Sequence, residues 1–368
     1  MRAYLLIMAV AAVATFVATY FTIQISRRHL LMPKIRERDV HTQPTPRVGG
    51  LAMLFGLLVA FLVAGSLGWF QSVFQEPIRI IAIFGAALVI VAIGILDDLF
   101  DLDWSIKLAG QILAAGILAW QGVQIVSLPI GGLIIGSYGA SLIITIFLAV
   151  LVMNAVNFID GLDGLVAGVV LIGTSAFFLY TYLITQQTSP TNYFNLASLI
   201  SAVVIGITVG FLPFNWHQAK IFMGDSGSML LGLLMATSAI AVTGQIDPAT
   251  VSSRVLAPAF LPLILPFAIL LLPLLDLLLA VIRRVRAGDS PFKADKKHIH
   301  HKLQDLGHSH VGSVLVFYLW TAIISFGGLS LLFIPSRDAL AIAIIAAIPA
   351  FLFTVWPIIE ARREARKS

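Results

Sequence analysis

Residues 80–98 read Ile80-Ile-Ala-Ile-Phe-Gly-Ala-Ala-Leu-Val-Ile-Val-Ala-Ile-Gly-Ile-Leu-Asp97-Asp98. An uninterrupted apolar run is closed by two adjacent carboxylates. A helix rises 1.5 Å per residue, and crossing a hydrocarbon core of about 30 Å takes about 20 mostly apolar residues. Segment 78–96 meets that length and predicts a membrane-spanning helix with acids at its end. The rest of the chain agrees: of 368 residues 59% are hydrophobic and 11% charged, with a mean hydropathy of +0.98. Soluble domains average roughly 25% charged residues, so a water-soluble globular protein is excluded. The low charge and high apolar content exclude disorder as well. The chain has no Cys, which removes disulfides, zinc–thiolate sites and thiol nucleophiles from consideration.

Working outward, eleven segments qualify as spans: 4–25, 48–70, 78–96, 106–122, 139–156, 164–184, 194–213, 228–244, 255–282, 311–334 and 338–357. The first is too long for the apolar core of a signal peptide and is followed by Arg27 and Arg28, so it reads as a retained helix. The predicted class is an all-α integral membrane protein, a bundle of about eleven transmembrane helices. Lys and Arg set its sidedness. The loops after spans 1, 3, 5, 7 and 9 and the C-terminal tail hold six, one, none, one, seven and four of them, 19 of the 23 in the chain. The other face has Arg2, Arg79, Arg254 and Arg337. This bias predicts an N-terminus outside and a C-terminus in the cytoplasm. Residues 1–368 then form a single polytopic domain with cytoplasmic loops 26–47, 97–107, 157–163, 214–227 and 283–310. On the outer face, 127–139 alternates enough to predict a small hairpin. Span 9 carries Pro258, Pro262 and Pro266 four apart, predicting a bent helix, either an ordinary kink or a wall for a lipid tail. Asp276 in the same span reads as an interhelical hydrogen-bonding group.

Seven of the 18 acids fall in three small cytoplasmic loops: Asp97, Asp98, Asp101, Asp103, Asp160, Asp163 and Asp225. Acids on separate loops at one membrane surface imply a shared site with a cationic partner. Asp97 and Asp98 oppose the macrodipole of the helix they end, and Asp97 and Asp101 stand one turn apart as like charges. Neighbours on a helix diverge by about 100°, so one of the pair can face a ligand while the other supports it. The stretch Asn154-Ala-Val-Asn157-Phe-Ile-Asp160-Gly-Leu-Asp163-Gly is either a simple tight turn or a set of hard oxygen ligands suited to magnesium or a sugar nucleotide. In Phe222-Met-Gly-Asp225-Ser-Gly-Ser228, Asp225 or Ser226 suits an N-cap, and the helix start could also bind phosphate. Lys296-Lys-His298-Ile-His300-His301-Lys302 leads into a pattern of Ile299, Leu303 and Leu306. That pattern is a short amphipathic helix ended by Gly307, either a basic interfacial segment or a pyrophosphate site.

Together these motifs, with Thr45-Pro-Arg-Val-Gly-Gly50 and Lys107-Leu-Ala-Gly-Gln111, resemble the polyprenyl-phosphate N-acetylhexosamine-1-phosphate transferases. They occur in that family's order, all on the face assigned to the cytoplasm. The His-x-His-His form resembles the bacterial branch that uses UDP-N-acetylglucosamine, whereas the branch acting on phospho-N-acetylmuramoyl-pentapeptide has three consecutive His. The resemblance implies undecaprenyl phosphate as acceptor, Mg²⁺ as cofactor with Mn²⁺ as a substitute, and UMP and a lipid-linked sugar pyrophosphate as products. The product would start a cell-envelope glycan at the inner membrane. It further implies Asp97, Asp98, Asp225 and His298 as catalytic residues, with Asp225 and Asn157 on the metal. Lys107, Asn157, Asp160, Asp163, His300 and His301 would bind phosphate or substrate. Membrane lipid is the expected surrounding, a homodimer is compatible, and no nucleic acid partner is implied. Another N-acetylhexosamine is the nearest alternative. A transporter would carry its acids near the midplane, and the CDP-alcohol phosphotransferases need an Arg soon after the first Asp-Gly, which Asp160-Gly161 lacks.

Overall fold

The computed structural model describes residues 1–28, 45–125, 137–188, 194–243, 278, 281–282, 285–286 and 299–364, of which 28, 187–188, 243, 299–301 and 361–364 are described by backbone alone. Among these residues the fold is entirely helical. Its elements are α1 (Arg2–Arg28), α2 (Gly49–Ser66), α3 (Pro77–Phe100), α4 (Trp104–Trp120), α5 (Tyr138–Phe158), α6 (Leu165–Thr188), α7 (Leu196–Asn215), α8 (Gly224–Thr243), α9 (Ile299–Asp305), α10 (His310–Ser330) and α11 (Ser336–Glu364). Nine of these are long and apolar enough to cross a membrane. The span expected at 106–122 is α4, a helix of 17 residues and therefore shorter than the others. Of the span expected at 255–282 only residues 278, 281 and 282 are described, and its prolines and Asp276 lie outside the described residues. Residues 127–136 of the expected hairpin are likewise outside them, and of the rest Ser137 caps α5 while Tyr138 and Gly139 belong to it. The second span stops earlier than expected: α2 ends at Ser66, and two short 3₁₀ turns follow at Gly68–Phe70 and Val73–Gln75.

Helix α8 sits at the centre, packed against α2, α3, α5 and α7. Lipid offers no hydrophobic drive between helices, so close packing depends on small residues that let backbones approach. Gly94 of α3 is such a residue, because a Cβ there would lie 2.3 Å from the Cα of Ser226. Gly50 of α2 faces the same turn, where its Cβ would lie 2.6 Å from the carbonyl carbon of Ser226. Both contacts press α2 and α3 onto the first turn of α8. Around this centre, α1 packs on α2 and α7, α6 on α7 and α10, and α11 on α10.

One end of the bundle is sealed by aromatic residues: the buried Tyr4 packs edge-on against Phe70 and Phe178, each with ring centroids 5.3 Å away. At the other end the chain turns from α3 to α4, from α5 to α6 and from α7 to α8. The start of α2 also lies there, since Gly49 N–H donates to Phe222 O at 3.1 Å and Gly50 N–H to Met223 O at 3.2 Å. Every described loop expected on one face thus gathers at one end.

Candidate active site

The site starts from how α3 ends. Asp101 adopts a left-handed conformation (φ 52°) and its N–H closes onto Asp97 O at 2.9 Å, which terminates the helix beyond Asp97 and Asp98. Asp103 then caps α4, accepting from the Ser105 amide at 2.9 Å and its hydroxyl at 2.6 Å. Those two bonds hold the Asp103 carboxyl below its usual range. The tight turn aims the next residue one helical turn along, Lys107, back at α3. Its Nζ donates to Asp97 Oδ2 at 3.0 Å and forms an ion pair with Asp225.

Asp97 and Asp98 are both buried, each 7% exposed, and they diverge as neighbours on a helix should. While Asp97 meets Lys107, Asp98 reaches α8, where its Oδ2 accepts the Asp225 N–H at 3.1 Å. Helix α8 begins at Gly224, so Asp225 lies in its first turn and is not the N-cap expected from the sequence. Of the amides at this helix start, expected as a group to suit phosphate, that of Asp225 is taken by Asp98. Gly224 makes this possible: it has φ 66°, and a Cβ would fall 2.3 Å from both Asp98 Oδ2 and Arg47 O.

From α5, Asn157 Nδ2 donates to Asp225 Oδ1 at 3.0 Å and to Ser228 Oγ at 2.9 Å. One turn deeper, Gln111 and Asn154 exchange two amide hydrogen bonds, at 2.7 and 3.3 Å, tying α4 to α5. The half-buried Asp160 follows in the loop to α6. Burial pushes its carboxyl up to about 8; Asp225 and Asp163 push the same way and Arg47 opposes them. Asp163 turns away from this group and accepts from the amides of Gln218 (3.1 Å) and Ala219 (3.2 Å).

Asp97, Asp98, Lys107, Asn157 and Asp225 are therefore one connected cluster, with Asp160 electrostatically coupled to it. Asp163 braces the same loop from behind. His298 lies outside the described residues. His300 and His301 belong to α9 by backbone only. That helix matches the short segment expected before Gly307, which has φ 102°; Leu303 is buried, but Leu306 falls after the helix and is exposed. Two groups at this end were not among the expected site residues. Arg47 acts on both Asp98 and Asp160, and the quoted Thr45–Gly50 motif was its signal. His310, whose Nε2 accepts the Asp163 N–H at 3.1 Å, had no signal beyond its position a few residues past the histidine motif.

Four carboxylates (Asp97, Asp98, Asp160, Asp225) thus face two cations (Lys107, Arg47). The formal imbalance of two negative charges, built of hard oxygens, fits a divalent cation. The Asn157 amide turns its nitrogen toward Asp225, so it orients that carboxylate here and would reach a metal through its Oδ1.

The model of glycosyl transferase family 4 matches residues 80–243, from α3 to α8. The chain is 40% identical to a decaprenyl-phosphate N-acetylglucosaminephosphotransferase of Mycobacterium leprae, over 96% of this chain and 89% of the relative. It is 35% identical to a probable undecaprenyl-phosphate N-acetylglucosaminyl 1-phosphate transferase of Bacillus subtilis, over 77% and 72% of the two chains. Identity to an undecaprenyl-phosphate alpha-N-acetylglucosaminyl 1-phosphate transferase of Yersinia pestis is 28%, over 95% and 89%. The chain belongs to the polyprenyl-phosphate N-acetylhexosamine-1-phosphate transferases of glycosyl transferase family 4, and is a multi-pass membrane glycosyl-1-phosphate transferase.

Proposed function

We propose that the protein transfers N-acetylglucosamine-1-phosphate from UDP-N-acetylglucosamine to a long polyprenyl phosphate, releasing UMP and starting a lipid-linked envelope glycan. The convergence of Asp97, Asp98, Lys107, Asn157 and Asp225 at one end of the bundle carries this reading. The N-acetylglucosamine follows the names of the relatives, and the UDP carrier follows the family resemblance. For the acceptor, undecaprenyl phosphate is the bacterial expectation, while the Mycobacterium leprae relative is named for decaprenyl phosphate. The excess of Lys and Arg on the loops of this end supports a cytoplasmic site.

The reaction joins two anions, so it depends on positioning and charge neutralisation. Lys107 and Arg47 supply fixed positive charge at this end. Asp98 holds the start of α8, and Asn157 orients Asp225, which together fix the Asp225 carboxylate. The loop of Asp160 and Asp163 holds the nucleotide, and His298, His300 and His301 are assigned to phosphate binding. A phosphate monoester has its second pKa near 6, so the acceptor is already largely ionised at neutral pH. Asp97, held by Lys107, then orients the attacking phosphate rather than removing a proton from it. Asp225, with Asn157 Oδ1, would hold Mg²⁺ or Mn²⁺, which when bound neutralises charge on the donor pyrophosphate.

The test is purified protein with UDP-N-acetylglucosamine, UDP-N-acetylgalactosamine or UDP-N-acetylmuramoyl-pentapeptide, each with decaprenyl or undecaprenyl phosphate, in Mg²⁺, Mn²⁺ or EDTA. UMP release that requires UDP-N-acetylglucosamine and a divalent cation, and is lost in Asp225→Asn, is expected. Preference for another donor, or full activity in EDTA, would overturn the reading.

A further inference from the structure

Behind the cluster of carboxylates lies a second group of titratable side chains, Asp163, His217 and His310, of which only Asp163 belongs to the loop assigned to the nucleotide. The Asp163 side chain is 1% exposed, that of His310 15% and that of His217 45%. The imidazoles lie with ring centroids 5.0 Å apart. Asp163 Oδ2 is 3.9 Å from His217 Nδ1 and 4.0 Å from His310 Nε2. Spacing alone would admit a metal ion, since the three ligand atoms lie within 4.8 Å of one another. The hydrogen bonds argue otherwise. Asp163 Oδ2 already accepts from the amides of Gln218 and Ala219, and His310 Nε2 accepts from the Asp163 amide. A cation on Asp163 Oδ2 and His310 Nε2 would compete with all three donors.

The same bonds define the protonation of His310. A backbone amide can only donate, so Nε2 must be bare and the ring neutral, with its proton on Nδ1. Helix α10 also grips the following residue: the Tyr318 hydroxyl donates to Gly164 O at 2.5 Å. From α7, Asn215 Oδ1 accepts the Gly164 N–H at 3.2 Å while its Nδ2 donates to Ile221 O at 3.0 Å. Gly164 is held at φ 74°. The dipeptide Asp163-Gly164 is thus bound by α7, by the loop after it and by α10. It closes the Asp160–Gly164 loop.

We propose that His310 is a positioning residue for the donor nucleotide: its neutral Nε2 anchors the Asp160–Gly164 loop to α10, and its protonation loosens that anchor. The inference rests on the assignment of this loop to the nucleotide. Beside His310 lie Asp163 from the loop before α6 and His217 from the loop after α7, while Tyr318, two turns along α10, holds the next residue, Gly164. When His310 is protonated, Nε2 can no longer accept from the Asp163 amide, and its new N–H turns toward Asp163 Oδ2, in competition with Gln218 and Ala219. Imidazole is the side chain that changes charge between about pH 5 and 8, so the anchor weakens in mild acid.

The test uses His310→Ala and His310→Gln in the full-length protein in detergent, with donor KM, kcat and UMP affinity measured from pH 5.5 to 8. Glutamine offers an oxygen acceptor that does not titrate. At pH 7.5, His310→Ala is expected to raise donor KM and UMP Kd about tenfold, the effect of stranding one buried donor. Its kcat should change by less than about threefold, and His310→Gln should stay within about twofold of wild type on all three. Wild type should lose UMP affinity toward pH 5.5 more steeply than His310→Gln. A His310→Gln profile parallel to wild type overturns the proposal, even if His310→Ala cannot be purified. Unchanged UMP affinity in a folded His310→Ala overturns it too. Wild type that binds UMP without transferring sugar phosphate refutes the transferase reading alone, and one that binds no UMP refutes both.

Discussion

Replacing Lys107 by Met removes one charge from the centre of the site at nearly constant side-chain length. Its Nζ lies 3.0 Å from Asp97 Oδ2 and also pairs with Asp225. At an effective dielectric constant of about 20, a contact of this length is worth about 5 kcal/mol before desolvation is subtracted. Breaking a buried pair from one side typically costs about 3–5 kcal/mol. Here the side chains of Lys107, Asp97 and Asp225 keep 22%, 10% and 23% exposure, so water recovers part of that loss. A cost of about 2–3 kcal/mol remains after this screening. For a chain of this size it corresponds to a melting temperature lowered by about 3–4 °C. The comparison belongs in EDTA, where the two orphaned carboxylates repel. Saturating Mg²⁺ should then close most of the gap, because a divalent ion bound to the same carboxylates replaces the missing charge. Turnover should fall at least about 100-fold even with Mg²⁺, a barrier increase of about 2.7 kcal/mol. Thermal unfolding by intrinsic fluorescence and UMP release measure the two effects. Wild-type melting in EDTA would refute Lys107 as the counter-charge. Destabilisation that Mg²⁺ leaves untouched would refute the shared cation site.

Two further perturbations separate charge from hydrogen bonding. Asp98→Asn keeps an oxygen that can accept from the Asp225 amide, so its melting temperature should match wild type, whereas Asp98→Ala should lose about 1 kcal/mol as a helix cap does; both should lose turnover if the charge itself is needed, and equal melting of the two variants would contradict the capping role. Asp160→Asn addresses pH. With its folded value near 8, above that of an unfolded aspartate, the native state holds the proton more tightly, so this carboxyl's contribution to stability falls as pH rises from about 4 to 8 and is level above. In EDTA, Asp160→Asn should therefore gain melting temperature over wild type at pH 8.5 and lose that advantage near pH 5. A difference independent of pH would rule out Asp160 as a strained carboxylate.

Much of the architecture was readable because lipid leaves few choices: a run such as 78–96 has to be a helix, and the distribution of Lys and Arg already sorted the loops into two sets. The structure gathers the described loops of one set at one end. The sequence was weaker at helix ends. Capping there is done by other elements, so the start of α8 at Gly224 was shifted from the expected Asp225 or Ser226. It was weakest for Arg47 and His310. Arg47 stood inside a quoted motif that named no role for it and His310 in no motif at all, and each acquires its role only from partners more than 50 positions away, Asp98 and Asp163 respectively.

The two acids at the end of α3 show why such a site is half legible. On their own helix Asp97 and Asp98 are misplaced, since a carboxyl-terminal end is already partly negative. That local conflict, visible in the sequence, flags a compensating partner without naming it. The partner is twofold. Asp98 sits at the amino-terminal end of α8, where the partial charge is positive and a free amide awaits an acceptor, and Asp97 meets Lys107 on α4. Both compensations require α3, α4 and α8 to converge at one end, which Gly94 permits by admitting the backbone of Ser226 where a larger residue would collide. The small residues that allow helices to pack in lipid and the acids that await a substrate are therefore parts of one arrangement. A Gly94 substitution buried below the site should disturb Asp98 and Asp225 before it disturbs any residue nearer the aromatic end.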